Sequence, residues 1–306
     1  MLGLLSGRGL WKTGLRNKDT RMRPLSFRAV RHAAFAGALI ALNPLVAAAQ
    51  PAAPPVGAKY VAMGSSFAAG PGITPSADDP PNRCTRANDN YAHQLARRRG
   101  LRLTDVSCSG AATAHLLGPW NELKPQLDAV DADTRLVTVT IGGNDVRLTS
   151  GEGAAACHTA ALPGTRCPDL AAAPTSDEWT GLEARLGQIA SEVRRRAPQA
   201  RLVFVDYTSV LPPSGTCPAL SLTADQAAAS REINRHVVEI TARAAMASGS
   251  GLLTASTVTA EHNACAAEPW ANGYATPGHP VVGAAFHPRV QAHAAIAEAL
   301  DRLIWR

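Results

Sequence analysis

The 306-residue sequence contains few aromatic residues, no two cysteines in C-x-x-C spacing and no internal repeat. Aromatic residues make up only 5% of the chain, although its length is ample for a sizeable hydrophobic core. The missing C-x-x-C spacing argues against a zinc site. The cysteines present are six in number: Cys84, Cys108, Cys157, Cys167, Cys217 and Cys265.

Most of the chain also lacks an excess of charge of either sign. The whole chain has 30 basic and 24 acidic residues, but eight of the basic ones and a single acid, Asp19, lie in residues 1–49. The remainder therefore carries 22 basic and 23 acidic side chains, a net charge of −1. This part offers no basic patch for nucleic acid and no electrostatic attraction to an anionic membrane.

The basic N-terminal stretch runs into the apolar segment HAAFAGALIALNPLVAAAQ. This segment is short, is interrupted by Asn43-Pro44 and closes in small residues, as a cleaved secretory signal peptide does. An uncleaved membrane anchor is the alternative interpretation. Met22 is an alternative start that gives a leader of more usual length. We predict export, and we expect the mature protein to be secreted without stable membrane insertion.

The predicted signal peptide also sets the first boundary in the organisation of the chain. We predict a signal peptide over residues 1–49, a Pro/Ala-rich linker over 50–57 and one domain over 58–306. An even number of cysteines behind an export signal indicates disulfide bonds. Six cysteines allow about 15 pairings, and the residues alone do not choose among them.

Five short apolar runs predict the strands of a sheet. Two of them, in RLVTVTIGGND and ARLVFVDY, are β-branched and continuous, as buried parallel strands are. Helical patterns alternate with the runs, so we predict a layered α/β fold with a parallel sheet of about five strands. Two long insertions, 71–90 and 146–175, contain cysteines and are predicted to be irregular loops. The five runs span residues 60–63, 101–106, 136–141, 202–205 and 251–253.

The clearest helical pattern follows Thr175, which forms a capping box with Glu178. Its apolar residues make one stripe, and Pro198 ends the helix. Thr223 begins a second helix. A third helix covers residues 288–304, with proline well placed in its first turn.

Residues capable of chemistry follow the predicted strands, at the edge where open parallel sheets bind ligands. A hydroxyl, a glycine backbone, an amide and an imidazole meet there, which suits acyl transfer. The segments are Gly64-Ser65-Ser66 after the first strand, residues 107–111 after the second, Gly142-Gly143-Asn144-Asp145 after the third, and Phe286-His287-Pro288 before the last helix.

Ser66, Gly110, Asn144 and His287 resemble, in order and approximate spacing, the four motif blocks of the SGNH hydrolases, also called GDSL lipases/esterases. GGND is the most specific block, and the likeness is to the secreted, three-disulfide bacterial branch over residues 58–306. The resemblance implies a three-layer flavodoxin-like fold and hydrolysis of carboxylic esters without a metal or another cofactor. We expect a small-molecule or lipid ester as the substrate, and a monomer.

The resemblance also implies a role for each matched residue. Ser66 is the nucleophile, and His287 removes its proton and later protonates the leaving alcohol. The N–H groups of Ser66 and Gly110, with the side-chain amide of Asn144, form the oxyanion hole. The branch implies that the cysteines pair in sequence order, as Cys84–Cys108, Cys157–Cys167 and Cys217–Cys265.

The sequence departs from the family pattern at two positions. Ser65 stands where the GDS motif has aspartate, and Ser65 itself is the competing nucleophile. Ala284 stands where the family's acid precedes the histidine by three residues. Because some members of the branch use a main-chain carbonyl there, we predict that the Ala284 carbonyl accepts a hydrogen bond from His287 Nδ1. Asp206, at the end of the fourth strand, is the alternative carboxylate.

Several nearby residues have simpler interpretations. We expect Asp145 to orient the loop that carries the amide, and His293 to be a structural or surface group. His262 is expected to be structural, and Trp270 is either a wall of an acyl pocket or a core residue. Two other functions remain open: a carbohydrate deacetylase of the same family, and an inactive binding protein on the same scaffold.

Overall fold

The computed structural model describes residues 51–306, so the predicted signal peptide and the alternative start at Met22 lie outside it. Five strands form one parallel sheet in the order β2-β1-β3-β4-β5. This is the flavodoxin-like order. The strands are added on one side of β1 first and then on the other, so the switch point of the sheet lies between β1 and β3. The predicted fold class and all five strands are confirmed. The strands are β1 (Lys59–Gly64), β2 (Arg102–Asp105), β3 (Thr134–Thr140), β4 (Arg201–Val205) and β5 (Gly251–Leu253).

Helices connect these strands, and the three predicted helices are present. The last one begins at Val290, so Pro288 precedes the helix and does not lie in its first turn as predicted. Thr175 and Glu178 form the expected capping box at the start of one of them. Thr223 caps the next helix in the same way, with Gln226 as its partner. The helices are α1 (Ser66–Ala69), α2 (Tyr91–Arg99), α3 (Thr113–Leu117), α4 (Leu148–Ala160), α5 (Ser176–Arg196), α6 (Ala224–Ser248), α7 (Ala255–Val258) and α8 (Val290–Trp305).

Alternate residues of the strands face two separate cores, because successive side chains of a strand point to opposite sides of a sheet. Val61 and Met63 of β1 pack in the core that includes buried residues of α5 and α6. Tyr60 and Ala62 pack in the core that includes residues of α2 and α8. The sheet therefore lies between two helical layers, which accounts for the continuously apolar strands.

The prediction of an irregular loop over residues 146–175 is wrong in part, because α4 occupies much of it. The helix has the sequence LTSGEGAAACHTA, which shows no apolar stripe at helical spacing. Alanine favours helix without such a stripe, and packing against α6 supplies the buried face. The insertion over residues 71–90, by contrast, contains no helix or extended strand.

Three disulfides link the loops to these elements. They join Cys84 to Cys108, Cys157 to Cys167 and Cys217 to Cys265, which is the pairing in sequence order. The first bond fixes the long loop before α2 to the segment that follows β2. Among residues 51–306 no helix is both long and apolar enough to cross a membrane. The same residues contain no cluster of His, Cys, Asp or Glu arranged to hold a metal ion.

Candidate active site

The abrupt end of β1 determines where Ser66 lies. Gly64 has φ 144°, and a Cβ atom there would lie 2.3 Å from the carbonyl oxygen of Thr140 in the neighbouring strand. Only glycine allows this close approach. The next residue, Ser65, donates its N–H to the same carbonyl at 2.9 Å. Ser66 then begins α1 at the carboxyl edge of the sheet, beside the switch point between β1 and β3.

The structure brings the side chains of Ser66 and His287 together. The Ser66 Oγ and His287 Nε2 atoms lie 2.7 Å apart, although the residues are 221 positions apart in the chain. His287 lies just before α8, at the same edge of the sheet. The two residues are 7% and 8% exposed, so the pair is largely shielded from water.

The Nδ1 atom of His287 bonds to the carbonyl oxygen of Ala285 at 2.7 Å. The prediction that Ala284 supplies this carbonyl is therefore wrong by one residue. The Ala284 carbonyl instead accepts a hydrogen bond from Asn272 Nδ2 at 3.0 Å. Phe286 adopts a left-handed conformation, φ 56°, and this turn lies between the Ala285 carbonyl and the imidazole.

The environment of His287 favours the neutral imidazole. Burial lowers its pKa below the ordinary value of 6.5, and the bond to the Ala285 carbonyl offsets part of this shift by raising the pKa. The neutral ring has its proton on Nδ1 when that atom donates to a carbonyl, which leaves Nε2 free to accept a proton. The ring is thus in the state and orientation that a general base requires.

Asp206 does not orient the imidazole. Its carboxylate accepts hydrogen bonds from the backbone N–H and the hydroxyl of Ser256, both at 2.8 Å. Burial raises the pKa of Asp206 to about 6. The carboxylate thus makes local contacts at the start of α7 and is not the third member of a catalytic triad.

The predicted oxyanion donors belong to the loops that follow β1, β2 and β3. The backbone N–H groups of Ser66 and Gly110 have no hydrogen-bond acceptor among residues 51–306. Asn144 donates one N–H of its side-chain amide to the carbonyl of Ala111 at 2.9 Å. Because an amide nitrogen carries two hydrogens, this bond holds the group in place and leaves one donor available.

Asp145 fixes the loop that carries Asn144. Its carboxylate accepts the N–H and the hydroxyl of Thr113, the first of these at 2.9 Å. Arg185 on α5 donates to the same carboxylate at 3.0 Å. These bonds tie the loop after β3 to the start of α3, which is the orienting role that the sequence indicates.

Ser65 is buried and faces a tyrosine that the sequence analysis missed. Its Oγ atom lies 3.4 Å from the hydroxyl of Tyr207, and that hydroxyl accepts the N–H of Gly143 at 2.7 Å. The ring of Phe67 lies between the two sides of the site, 4.5 Å from the Tyr207 ring and 4.9 Å from the His287 ring. Tyr207 follows β4 by two residues, and this position just after a strand is the signal in the sequence that could have identified it.

The other candidate residues lie apart from the hydroxyl–imidazole pair or act structurally. His293 is fully buried, and its Nδ1 atom accepts the N–H of Tyr91 at 3.2 Å. Burial lowers its pKa to about 3. His262 stacks on Trp270 with 3.6 Å between the ring centroids and bonds to a backbone carbonyl. This contact makes Trp270 part of a local aromatic stack.

A flavodoxin-like sheet with a buried serine–histidine pair at its switch point defines a class of hydrolytic enzymes. The chain belongs to the GDSL-like Lipase/Acylhydrolase family, whose model matches residues 62–295. Membership of this family makes the protein a carboxylic ester hydrolase.

Named relatives support this assignment. Lipase 2 of Streptomyces coelicolor is 37% identical over 221 residues, which cover 68% of this chain and 73% of that protein. A lipase of Streptomyces rimosus is 32% identical and covers 85% of this chain and 93% of its own length.

Solved structures agree with the fold. The crystal structure of an extracellular lipase from Streptomyces rimosus superposes with a TM-score of 0.63 at 27% identity, covering 80% of this chain and 99% of that one. Phospholipase A1 from Streptomyces albidoflavus has a TM-score of 0.64, with 81% of this chain and 100% of that chain covered. At 23% identity, this second likeness supports the fold alone.

Proposed function

We propose that the protein hydrolyses carboxylic esters with a Ser66–His287 dyad that is supported by a backbone carbonyl. The observation that carries this proposal is the distance of 2.7 Å between Ser66 Oγ and His287 Nε2. A hydroxyl and a neutral imidazole in this contact are the minimum that nucleophilic acyl transfer requires.

In the first half of the reaction, Ser66 Oγ attacks the ester carbonyl while His287 Nε2 takes the hydroxyl proton. The resulting tetrahedral intermediate collapses, and the imidazolium gives this proton to the departing alcohol. An acyl group then remains on Ser66. Water then attacks the acyl carbonyl while the same imidazole takes its proton, and the imidazolium returns that proton to Ser66 Oγ as the bond to the acyl group breaks and the acid leaves.

The negative charge of the intermediate is held by the N–H groups of Ser66 and Gly110 and by the Asn144 amide. The first two N–H groups have no acceptor within residues 51–306, and the third donor is braced by the Ala111 carbonyl. Removing one donor of an oxyanion hole costs about 10²–10³ in turnover.

The Ala285 carbonyl takes the place of the carboxylate of a triad. It fixes the tautomer and the orientation of His287 through a bond of 2.7 Å. A neutral acceptor stabilises the imidazolium less than a carboxylate does, since charge-assisted hydrogen bonds are about twice as strong.

We further propose that the enzyme is a secreted monomer, with residues 1–49 removed as a signal peptide, a linker over 50–57 and a catalytic domain over 58–306. Three disulfides and the extracellular relative from Streptomyces rimosus support export. N-terminal sequencing of protein recovered from the culture medium tests this. A mature form that starts near residue 50 is expected, and retention of Met1 or Met22 contradicts it.

Kinetics on a chain-length series of nitrophenyl esters test the dyad. We expect Ser66→Ala to lower kcat at least about 10³-fold, as loss of a catalytic serine does. Ser65→Ala is the matched control, since it removes the neighbouring hydroxyl.

Mass spectrometry after labelling with a fluorophosphonate identifies the modified serine. The adduct is expected on Ser66 in the wild type and in Ser65→Ala. An adduct on Ser65, or full turnover by Ser66→Ala, refutes the mechanism. Wild-type protein that turns over none of the esters also refutes the mechanism.

A further inference from the structure

Asn272 is fully buried beside the turn that holds the imidazole. Its side-chain amide donates to the carbonyl oxygen of Val282 at 2.7 Å and to that of Ala284 at 3.0 Å. Its backbone N–H donates to the carbonyl oxygen of His287 at 2.9 Å. One residue thus bonds to the main chain on both sides of Ala285, whose carbonyl accepts the bond from His287 Nδ1.

The orientation of the Asn272 amide is itself fixed. Arg289 donates its Nε–H to the side-chain oxygen of Asn272 at 2.8 Å. The backbone N–H of the same arginine donates to the carbonyl oxygen of Trp270 at 2.7 Å, which anchors Arg289 in turn. Because the amide oxygen faces a cation and the amide nitrogen faces two carbonyls, only one of the two amide orientations satisfies all of these groups.

The partners at this position require asparagine. They need two N–H donors and one acceptor in one plane, at the end of a short side chain. An ionised aspartate has the same shape but offers only acceptors, and an aliphatic side chain offers neither. Asn272 is therefore matched to these contacts in chemistry as well as in shape.

The turn needs such bonds from outside, because its own structure does not fix it. Residues 281–287 belong to no helix or strand. Phe286 has φ 56°, a left-handed conformation that is disfavoured for a residue with a large side chain. Its N–H donates to the carbonyl oxygen of Gly273, the neighbour of Asn272, at 3.2 Å. Residues 272 and 273 together thus hold the turn in its strained form.

We propose that Asn272 is a positioning residue for ester hydrolysis: it holds the turn so that the Ala285 carbonyl stays on His287 Nδ1 and the ring presents Nε2 to Ser66. Among residues 51–306, its side chain bonds to Val282, Ala284 and Arg289 and not to the imidazole. It therefore acts through the main chain of the turn. The inference rests on the proposed function, because it requires His287 to be the base.

Kinetics of Asn272→Asp test this role. The variant keeps the shape of the side chain and an acceptor for Arg289, but its carboxylate has no N–H to donate. We expect kcat and kcat/KM for nitrophenyl esters to fall together, about 10–100-fold, since a small misplacement can cost about 10²-fold. KM should stay within about two-fold, because the base acts only in the transition state. The added negative charge favours the imidazolium, so it opposes this loss and does not cause it.

Asn263→Asp is the matched control. Asn263 is 8% exposed and braces a different turn: its Nδ2 donates to the Ala260 carbonyl at 3.2 Å, and its Oδ1 accepts the Cys265 N–H at 3.0 Å. The control is expected to lose stability in a thermal melt but to keep wild-type kcat. Asn272→Ala and Asn263→Ala repeat the comparison without an added charge, and they decide it if Asn272→Asp does not fold.

NMR of protein with isotope-labelled histidine reports which nitrogen of His287 carries the proton, and His287→Gln identifies the signals. In the wild type we expect the proton on Nδ1. In Asn272→Asp a larger share should lie on Nε2, because the bond made by one ring nitrogen sets the protonation of the other. A loss of stability alone does not change this distribution.

The outcomes separate the inference from the proposed function. Unchanged kcat or an unchanged tautomer in Asn272→Asp, with an active wild type, overturns the positioning role but leaves the dyad intact. A raised KM at unchanged kcat assigns Asn272 to substrate binding and also overturns the inference. An equal loss of kcat in Asn263→Asp shows a general effect of instability and does the same. Full turnover by Ser66→Ala overturns the proposed function and the inference with it.

Discussion

Replacing Tyr207 with phenylalanine tests how the loop after β3 is held. The Tyr207 hydroxyl is the acceptor for the Gly143 N–H at 2.7 Å, and it lies 3.4 Å from Ser65 Oγ. Tyr207→Phe keeps the ring and its packing on Phe67. It removes only the oxygen, so the buried Gly143 N–H loses its acceptor.

The expected effect has two parts. An unsatisfied buried donor costs about 1–3 kcal/mol in the free energy of unfolding. For a domain of this size, that corresponds to a fall in Tm of about 2–4 °C for each kcal/mol. Gly143 directly precedes Asn144, so the loss also loosens an oxyanion donor. We expect kcat to fall about 10–100-fold, below the 10²–10³ expected for removing such a donor outright.

Tyr60→Phe is the matched control. The Tyr60 hydroxyl bonds to Thr138 Oγ1 at 2.7 Å, and both residues are fully buried within the sheet, outside the reacting pair. Urea unfolding and nitrophenyl ester kinetics are measured for both variants. The control is expected to lose stability with little change in kcat. If Tyr207→Phe loses less than about 0.5 kcal/mol and keeps wild-type kcat, the anchoring role of Tyr207 is refuted.

Two further predictions concern pH and the disulfides. Because burial lowers the pKa of His287, kcat/KM should rise with pH through a midpoint below 6.5 and then level off as the imidazole becomes neutral; a midpoint above 6.5 contradicts this. Replacing Cys217 and Cys265 with serine opens a loop with a sequence separation of 48, which costs about 4 kcal/mol by loop entropy. Calorimetry measures the loss of stability, and an unchanged Tm contradicts the expected stabilisation by this disulfide.

The sequence is most informative where one local pattern determines one element. Each β-branched run became a strand because buried parallel strands need apolar residues on both faces. The capping box of Thr175 and Glu178 located the start of α5 to the residue. The helix α4 was missed because its buried face comes from packing on α6, and its own sequence shows no periodic stripe.

The sequence indicated the polar side chains of the site, but it did not indicate which main-chain carbonyl bonds to the imidazole. The carboxyl edge of the sheet pointed to the segments that contain Ser66 and His287, and the family resemblance selected these two residues within them. Whether the Ala284 or the Ala285 carbonyl bonds to His287 depends on the positive φ of Phe286, and no pattern in the sequence predicts that φ.

The main-chain acceptor at Ala285 has a consequence for how the proposed dyad is inherited. Every amino acid carries the same carbonyl oxygen, so a codon change at position 285 cannot delete the group that holds the imidazole. Only Ser66 and His287 are then specified by their side chains. The third group, the main-chain carbonyl at position 285, is present whenever the turn at Phe286 forms. Mutational drift can therefore erase any acidic signature at this place while hydrolysis persists.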